Sequence, residues 1–150
     1  MQSWYYLFVH TPRLLYFSSA TENTKVFVEQ LPFPSERLPL FPKDEPLTVD
    51  YPYILFIPTY GAGVGDASVP PQVKRFLKEP AIRELCVGII GAGNLNFGEK
   101  YAAAGDIVAK RLTVPVLYRF ELRGTASDLV EVTAGINNNW AKLLSMKGIK

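Results

Sequence analysis

One cysteine and one histidine are all that 150 residues contain of those types. A single thiol excludes an internal disulfide framework, and the two together cannot build a Cys/His zinc site. Cys–His and Ser–His–Asp catalysis are left with little, because His10 is the sole imidazole and lies near the N-terminus. A dominant charge is missing as well. Sixteen basic residues against 14 acidic ones leave +2, too little to mark a nucleic-acid groove or a polybasic membrane patch. No apolar run approaches the roughly 20 residues of a membrane span. Residues 4–9 are apolar, but no basic residue precedes them and no clear small-residue cleavage site follows, which argues against a signal peptide. The phosphate motifs G-x-x-x-x-G-K-[ST] and G-x-G-x-x-G are both absent. Neither a magnesium-bound triphosphate nor a pyrophosphate-spanning dinucleotide is therefore indicated. These absences predict a cytoplasmic protein whose harder chemistry, if it has any, is carried by a bound cofactor.

What is present supports a single core. Apolar residues make up 48% and charged ones 20%, and the length suits one domain. Residues 14–146 read as that domain, with 1–13 as an N-terminal extension. Residues 14–17 are a short apolar run, as expected of a strand buried on both faces. Asn23 or Thr24 can cap a helix reaching Leu31. Six prolines fall within residues 32–52, so no long helix fits there, although an edge strand over 37–40 does. Residues 53–58, YILFIP, are the next buried strand. A glycine-rich loop follows, and Pro70 and Pro71 open a helix to about Leu77. Pro80 closes that segment. Residues 85–91 and 115–122 read as further core strands. Residues 99–112 read as an amphipathic helix. Thr125 and Asp128 resemble a capping box before a final helix carrying Leu129, Val132, Ile136 and Trp140, a reading that Gly135 and Asn137 to Asn139 weaken. Strands alternating with helices imply a parallel sheet covered on both faces.

Counting the edge strand as the second, the loops after the first, third and fourth strands are polar or glycine-bearing, and in such a sheet they share the carboxyl edge where ligands bind. The first offers Ser18, Ser19, Thr21, Asn23 and Thr24 and leads into a helix N-terminus, an arrangement able to hold a phosphate without Lys or Arg. The same residues also suit an ordinary capping turn. The second carries Thr59, Tyr60, Gly61, Gly63 and Gly65, which suits close approach to a flat ligand or simply a flexible surface loop. The third supplies Asn94 and Asn96, whose amides can read a polar ring edge. Phe97 and Tyr101 can stack on a ring or pack in the core. One end suits a monophosphate and the other two a planar heterocycle. Flavin mononucleotide (FMN) has that shape, and the flavodoxin-like strand order 2-1-3-4-5 of a five-stranded doubly wound sheet places it at this edge.

The segments YFSSATENT, PTYGAG, PPQVKRFL, GNLNFGEKYAAAGD and VPVLYRFELRGTASD together resemble the NrdI family, the flavodoxin-like stimulatory proteins of class Ib ribonucleotide reductase. The resemblance runs from about residue 14 to 136. It implies an FMN-binding redox protein whose reduced flavin reacts with oxygen. The resulting superoxide or peroxide would pass to the dimanganese small subunit of the reductase, where the tyrosyl radical forms. Such a protein is an activator rather than a stand-alone metabolic enzyme, and it requires a separate flavin reductant. By matching motif positions, Ser18, Ser19, Thr21, Asn23 and Thr24 would hold the phosphate. Thr59, Tyr60 and Gly61 would border the flavin, with Gly63 and Gly65 shaping the loop beside it. Asn94, Asn96, Phe97 and Tyr101 would contact the ring from the other side. Phe120, Glu121 and Leu122 match a family segment near the site. Leu95 departs from the family, where a basic or polar residue is more usual. The rival readings are an electron-carrying flavodoxin, for which a net charge of +2 gives little support, and a docking module without redox chemistry.

Overall fold

A computed structural model describes residues 8–60, 65–94 and 102–149. In chain order the elements are β1 (Leu14–Tyr16), α1 (Asn23–Val28), β2 (Ser35–Arg37), β3 (Tyr53–Pro58), a 3-10 turn (Gly65–Ser68), α2 (Pro71–Phe76) and α3 (Pro80–Glu84). They continue with β4 (Cys86–Gly93), α4 (Ala103–Leu112), β5 (Val116–Glu121) and α5 (Ala126–Met146). The five strands form one sheet in the order β2-β1-β3-β4-β5, and every pairing is parallel. This is the doubly wound order expected from the sequence.

Strand pleating divides the apolar runs between two faces. Leu14, Tyr16, Ile54, Phe56 and Ile90 join Phe27 and Val28 of α1 and Val132, Ile136 and Trp140 of α5. Leu15, Phe17, Leu55, Ile57 and Ile89 meet Val73 and Phe76 of α2, Ile82 of α3 and Val108 of α4. Both faces are thus dry, which is why β1 and β3 are apolar at successive positions rather than alternate ones.

Several boundaries differ from expectation. The edge strand occupies Ser35–Arg37 and not 37–40. Its register is set by the Leu14 amide donating to Pro34 O and the Leu38 amide to Tyr16 O, and Pro39 has no N–H with which to extend the ladder. Pro80 does not close a helix but opens α3 at its first position, where a missing N–H costs nothing. α1 stops at Val28; Leu31 is buried beyond it, in a turn. β4 runs on to Gly93. α4 is described from Ala103, and residues 99–101 of its expected start lie outside the described residues.

α5 is unbroken despite Gly135 and the asparagines. Burial of Val132, Ile136, Trp140, Leu143 and Leu144 outweighs their low helix propensity. Trp140 Nε1 donates to Val9 O at 3.1 Å, and Val9 itself is buried. The helical turn at residues 8–10 is therefore packed on α5. Residues 1–7 lie outside the described residues.

Candidate functional site

The carboxyl ends of β1, β3, β4 and β5 converge on one cleft of about 190 Å³. Ser19, Thr21, Asn23 and Thr24 line one end. Thr59, Tyr60, Gly93, Asn94 and Leu122 line the rest. Residues from three separate loops named in the sequence reading thus share one hollow, at the point where the sheet order reverses. Gly61, Gly63, Asn96, Phe97 and Tyr101, with Leu95, lie outside the described residues. Gly65 begins the 3-10 turn.

The first loop is shaped by backbone geometry more than by a side-chain cap. Glu22, the residue before α1, is left-handed at φ 65 and makes no side-chain cap. The expected caps, Asn23 and Thr24, lie inside the helix. Instead Ser18, fully buried, uses its Oγ to accept the Lys25 amide at 3.1 Å. It thereby supports the loop from beneath, while Ser19 Oγ and Thr21 Oγ1 pair at 2.9 Å on the open side. Two guanidinium groups brace the backbone. Arg37, from β2, donates to Ser18 O at 2.8 Å and pairs with the Glu22 carboxylate at 3.0 Å. Arg123, beyond β5, donates from Nε to Asn23 Oδ1 at 2.9 Å and from its terminal nitrogen to Thr21 O at 3.4 Å.

The second loop is tied to α4. Thr59 Oγ1 accepts the Ala104 amide at 3.1 Å, supplying a cap that left-handed Ala102 cannot. The Tyr60 amide donates to Ser68 O at 2.8 Å, and its ring meets Phe17 edge-on at 6.0 Å. Burial raises the Tyr60 pKa above its ordinary value of 10.0, so the hydroxyl stays protonated at neutral pH.

The turn after β5 closes the far side. The Leu122 amide donates to Gly93 O at 2.9 Å. Leu122 is left-handed at φ 52 and 45% exposed at the cleft. Gly124 has φ +70, and a Cβ there would stand 2.6 Å from Cε1 of Phe27. Phe27 is itself stacked on Phe120 at 4.0 Å, so the turn sits directly on α1. Of the non-glycine residues described with positive φ, Glu22, Ala102 and Leu122 belong to segments bordering the cleft. Strain of that kind persists only where surrounding structure enforces it, and it gathers at functional sites.

Sequence reasoning left out Arg37 and Arg123 as site residues. Arg37 sits in the proline-rich stretch, and Arg123 lies within VPVLYRFELRGTASD between the residues matched to the site and the capping box, so neither carries a local signal. Glu22 has a structural role, as the partner of Arg37. Among the described residues no group of three or more His, Cys, Asp or Glu could hold a metal ion, and no helix is long and apolar enough to cross a membrane.

A family profile described as NrdI flavodoxin-like matches residues 15–134. Protein NrdI of Bifidobacterium animalis subsp. lactis is 52% identical over 128 residues, covering 82% of this chain and 91% of that protein. Protein NrdI of Yersinia enterocolitica is 49% identical over 129 residues, 86% of this chain and 96% of that one. Among solved structures, a short-chain flavodoxin associated with a non-canonical PDU bacterial microcompartment superposes with a TM-score of 0.51. It covers 91% of this chain and 98% of its own at 14% identity, a likeness of fold.

Proposed function

The chain belongs to the NrdI flavodoxin-like family, which implies a flavin cofactor, and from that premise we propose that it binds FMN and delivers oxidant to the dimanganese small subunit of class Ib ribonucleotide reductase. The observation that carries the proposal is the single cleft at the strand carboxyl edge. It has hydroxyl and amide donors at one end and Thr59, Tyr60 and Asn94 at the other. The donor set fits a flavin monophosphate. Hydroxyls of Ser19, Thr21 and Thr24 and the Asn23 amide would bind phosphate oxygens, with Ser18 holding the loop from behind. Thr59, Tyr60 and Gly61 would border the ring, Gly63 and Gly65 would shape the loop beside it, and Asn94, Asn96, Phe97 and Tyr101 would contact its other side. Tyr60 is a neutral phenol whose pKa burial raises further, so it places no anion beside the ring.

FMN held by these residues would, when reduced, supply electrons to dioxygen. The chain's part is to position the ring, limit water and present the cleft to the partner. None of its side chains is required as a proton-transfer catalyst. The remaining participant is a flavin reductant.

The test begins with the FMN-loaded protein reduced anaerobically. The manganese-loaded small subunit is added and oxygen admitted. A tyrosyl radical detected by electron paramagnetic resonance is expected. Its absence, where an authentic activator succeeds on the same subunit, refutes the proposal and leaves an electron-carrying flavodoxin as the reading.

A further inference from the structure

The phosphate end of the cleft has little charge of its own. Its loop carries hydroxyls and an amide, and α1 is six residues long, too short to build much of a macrodipole. Among the described residues Lys25, next to the loop in sequence, is paired with Glu29, and the tertiary fold adds Arg37 and Arg123. These two differ in kind. Arg37 is paired with the Glu22 carboxylate through both terminal nitrogens, so its charge is compensated. Among the described residues Arg123 has no carboxylate partner; it donates to the Asn23 side-chain oxygen and to Thr21 O. The nearby carboxylate of Asp128 is already engaged by the Thr125 amide and the Tyr118 hydroxyl.

We infer that Arg123 is a positioning residue for the monophosphate, making this site discriminate a phosphorylated flavin from an unphosphorylated one. This rests on the FMN reading above and adds a residue and a selectivity to it. Two physical effects act together. First, Asn23 carries an acceptor and a donor end on one planar amide. With Oδ1 held by Arg123 at 2.9 Å, the Nδ2 end is left as the donor available to an anion. Second, the uncompensated guanidinium stands one side-chain amide behind that donor. It favours a dianion over a neutral hydroxyl, and it does so through a solvent-exposed, salt-sensitive interaction.

The turn is built to hold Arg123 there. Leu122 is anchored to Gly93 O, and Gly124 takes φ +70 against the Phe27 ring. The backbone on either side of Arg123 is thus fixed, and its guanidinium is already hydrogen-bonded to Asn23 Oδ1 and Thr21 O, which lowers the cost of ordering it on binding.

The experiment is a fluorescence titration of the full chain with FMN and, separately, with riboflavin, each at low and high salt. Arg123→Gln should raise the Kd for FMN about tenfold, the order of effect expected when a single charge facing a dianion through solvent is removed. The Kd for riboflavin should stay within about twofold, an uncharged ligand having no such term. Wild-type affinity for FMN should weaken with salt far more than its affinity for riboflavin, and Arg123→Gln should flatten that difference. Arg123→Lys should keep the salt dependence while losing part of the affinity, because an ammonium holds the charge but not the two-point grip. A purely structural brace would instead weaken both flavins alike, without a change in salt dependence, and that result overturns the inference. So does a wild-type protein whose FMN and riboflavin affinities respond equally to salt, a readout that needs no variant to fold. If the wild-type chain binds neither flavin, the FMN reading falls and this one with it. If wild type binds FMN and Arg123→Gln binds it equally well, only the role of Arg123 is refuted.

Discussion

Replacing Gly124 with Ala should be among the costliest single-methyl additions in the described chain. Two separable terms contribute. The backbone stands at φ +70, where a non-glycine residue costs about 1–3 kcal/mol. The added Cβ would also lie 2.6 Å from Cε1 of Phe27, an atom in the middle of a buried ring and not at the end of a flexible chain. Phe27 cannot simply turn aside, because it is fully buried and stacked on Phe120 at 4.0 Å. Overpacking of that kind adds roughly 1–3 kcal/mol. Gly148 provides the control. Its φ is +72, nearly the same, yet nothing lies within 4 Å of its would-be Cβ, so Gly148→Ala should carry the backbone term alone. Urea unfolding at equilibrium would read the midpoint shift for both variants at unchanged slope. Gly124→Ala should be the less stable of the two by about 1–3 kcal/mol. Equal losses would mean that Phe27 yields freely, and the tight seating of the β5–α5 turn on α1 would be refuted.

Gly135 sits within α5 with open space around its would-be Cβ, so Gly135→Ala should stabilise the protein by about 0.5–1 kcal/mol in the same assay. Thr59→Val removes the acceptor for the Ala104 amide; a loss of about 1–2 kcal/mol is expected, with faster hydrogen exchange at the start of α4. Asp128 responds to pH with a definite sign. Burial pushes its pKa up, but hydrogen bonds from the Tyr118 hydroxyl and from Thr125 outweigh this and leave it below 3.8. The stabilisation is present above that ordinary value and lost as pH falls through the lower folded one. Asp128→Asn should flatten this part of the acid limb when urea midpoints are compared across pH. Cys86 is fully buried, which pushes its thiol up to about 12. The native protein should therefore resist iodoacetamide near neutral pH and react once unfolded in urea; stoichiometric labelling of the native protein would contradict its burial.

The core strands were legible because both sheet faces are covered, and a strand buried on both sides advertises itself as an unbroken apolar run. YILFIP corresponds residue for residue to β3. The capping box at Thr125 and Asp128 was legible for a different reason, since its two partners are three residues apart and its chemistry is local. Boundaries were harder where prolines ruled. Pro80 reads in sequence as a stop, yet a proline also suits the first turn of a helix, and Ile82 of the helix it opens packs into the core. Gly135 weakens a reading that the structure bears out, because propensity is a local quantity, whereas burial along α5 is not.

Composition, apolar runs and loop chemistry by themselves determined a five-stranded parallel architecture and a hydroxyl-lined loop at its carboxyl edge. They did so because each of those signals is written over a few consecutive residues. The electrostatics of that loop were decided by tertiary structure alone. Read along the chain, residues 18–24 carry hydroxyls, an amide and one acid. Folded, they receive Arg37 from the edge strand and Arg123 from 100 residues beyond Asn23. Neither arginine belongs to a periodic pattern, and a long-range side-chain contact leaves no trace in spacing. Pairing of β2 with β1 brings the first to the loop, and closure of the β5–α5 turn over α1 brings the second.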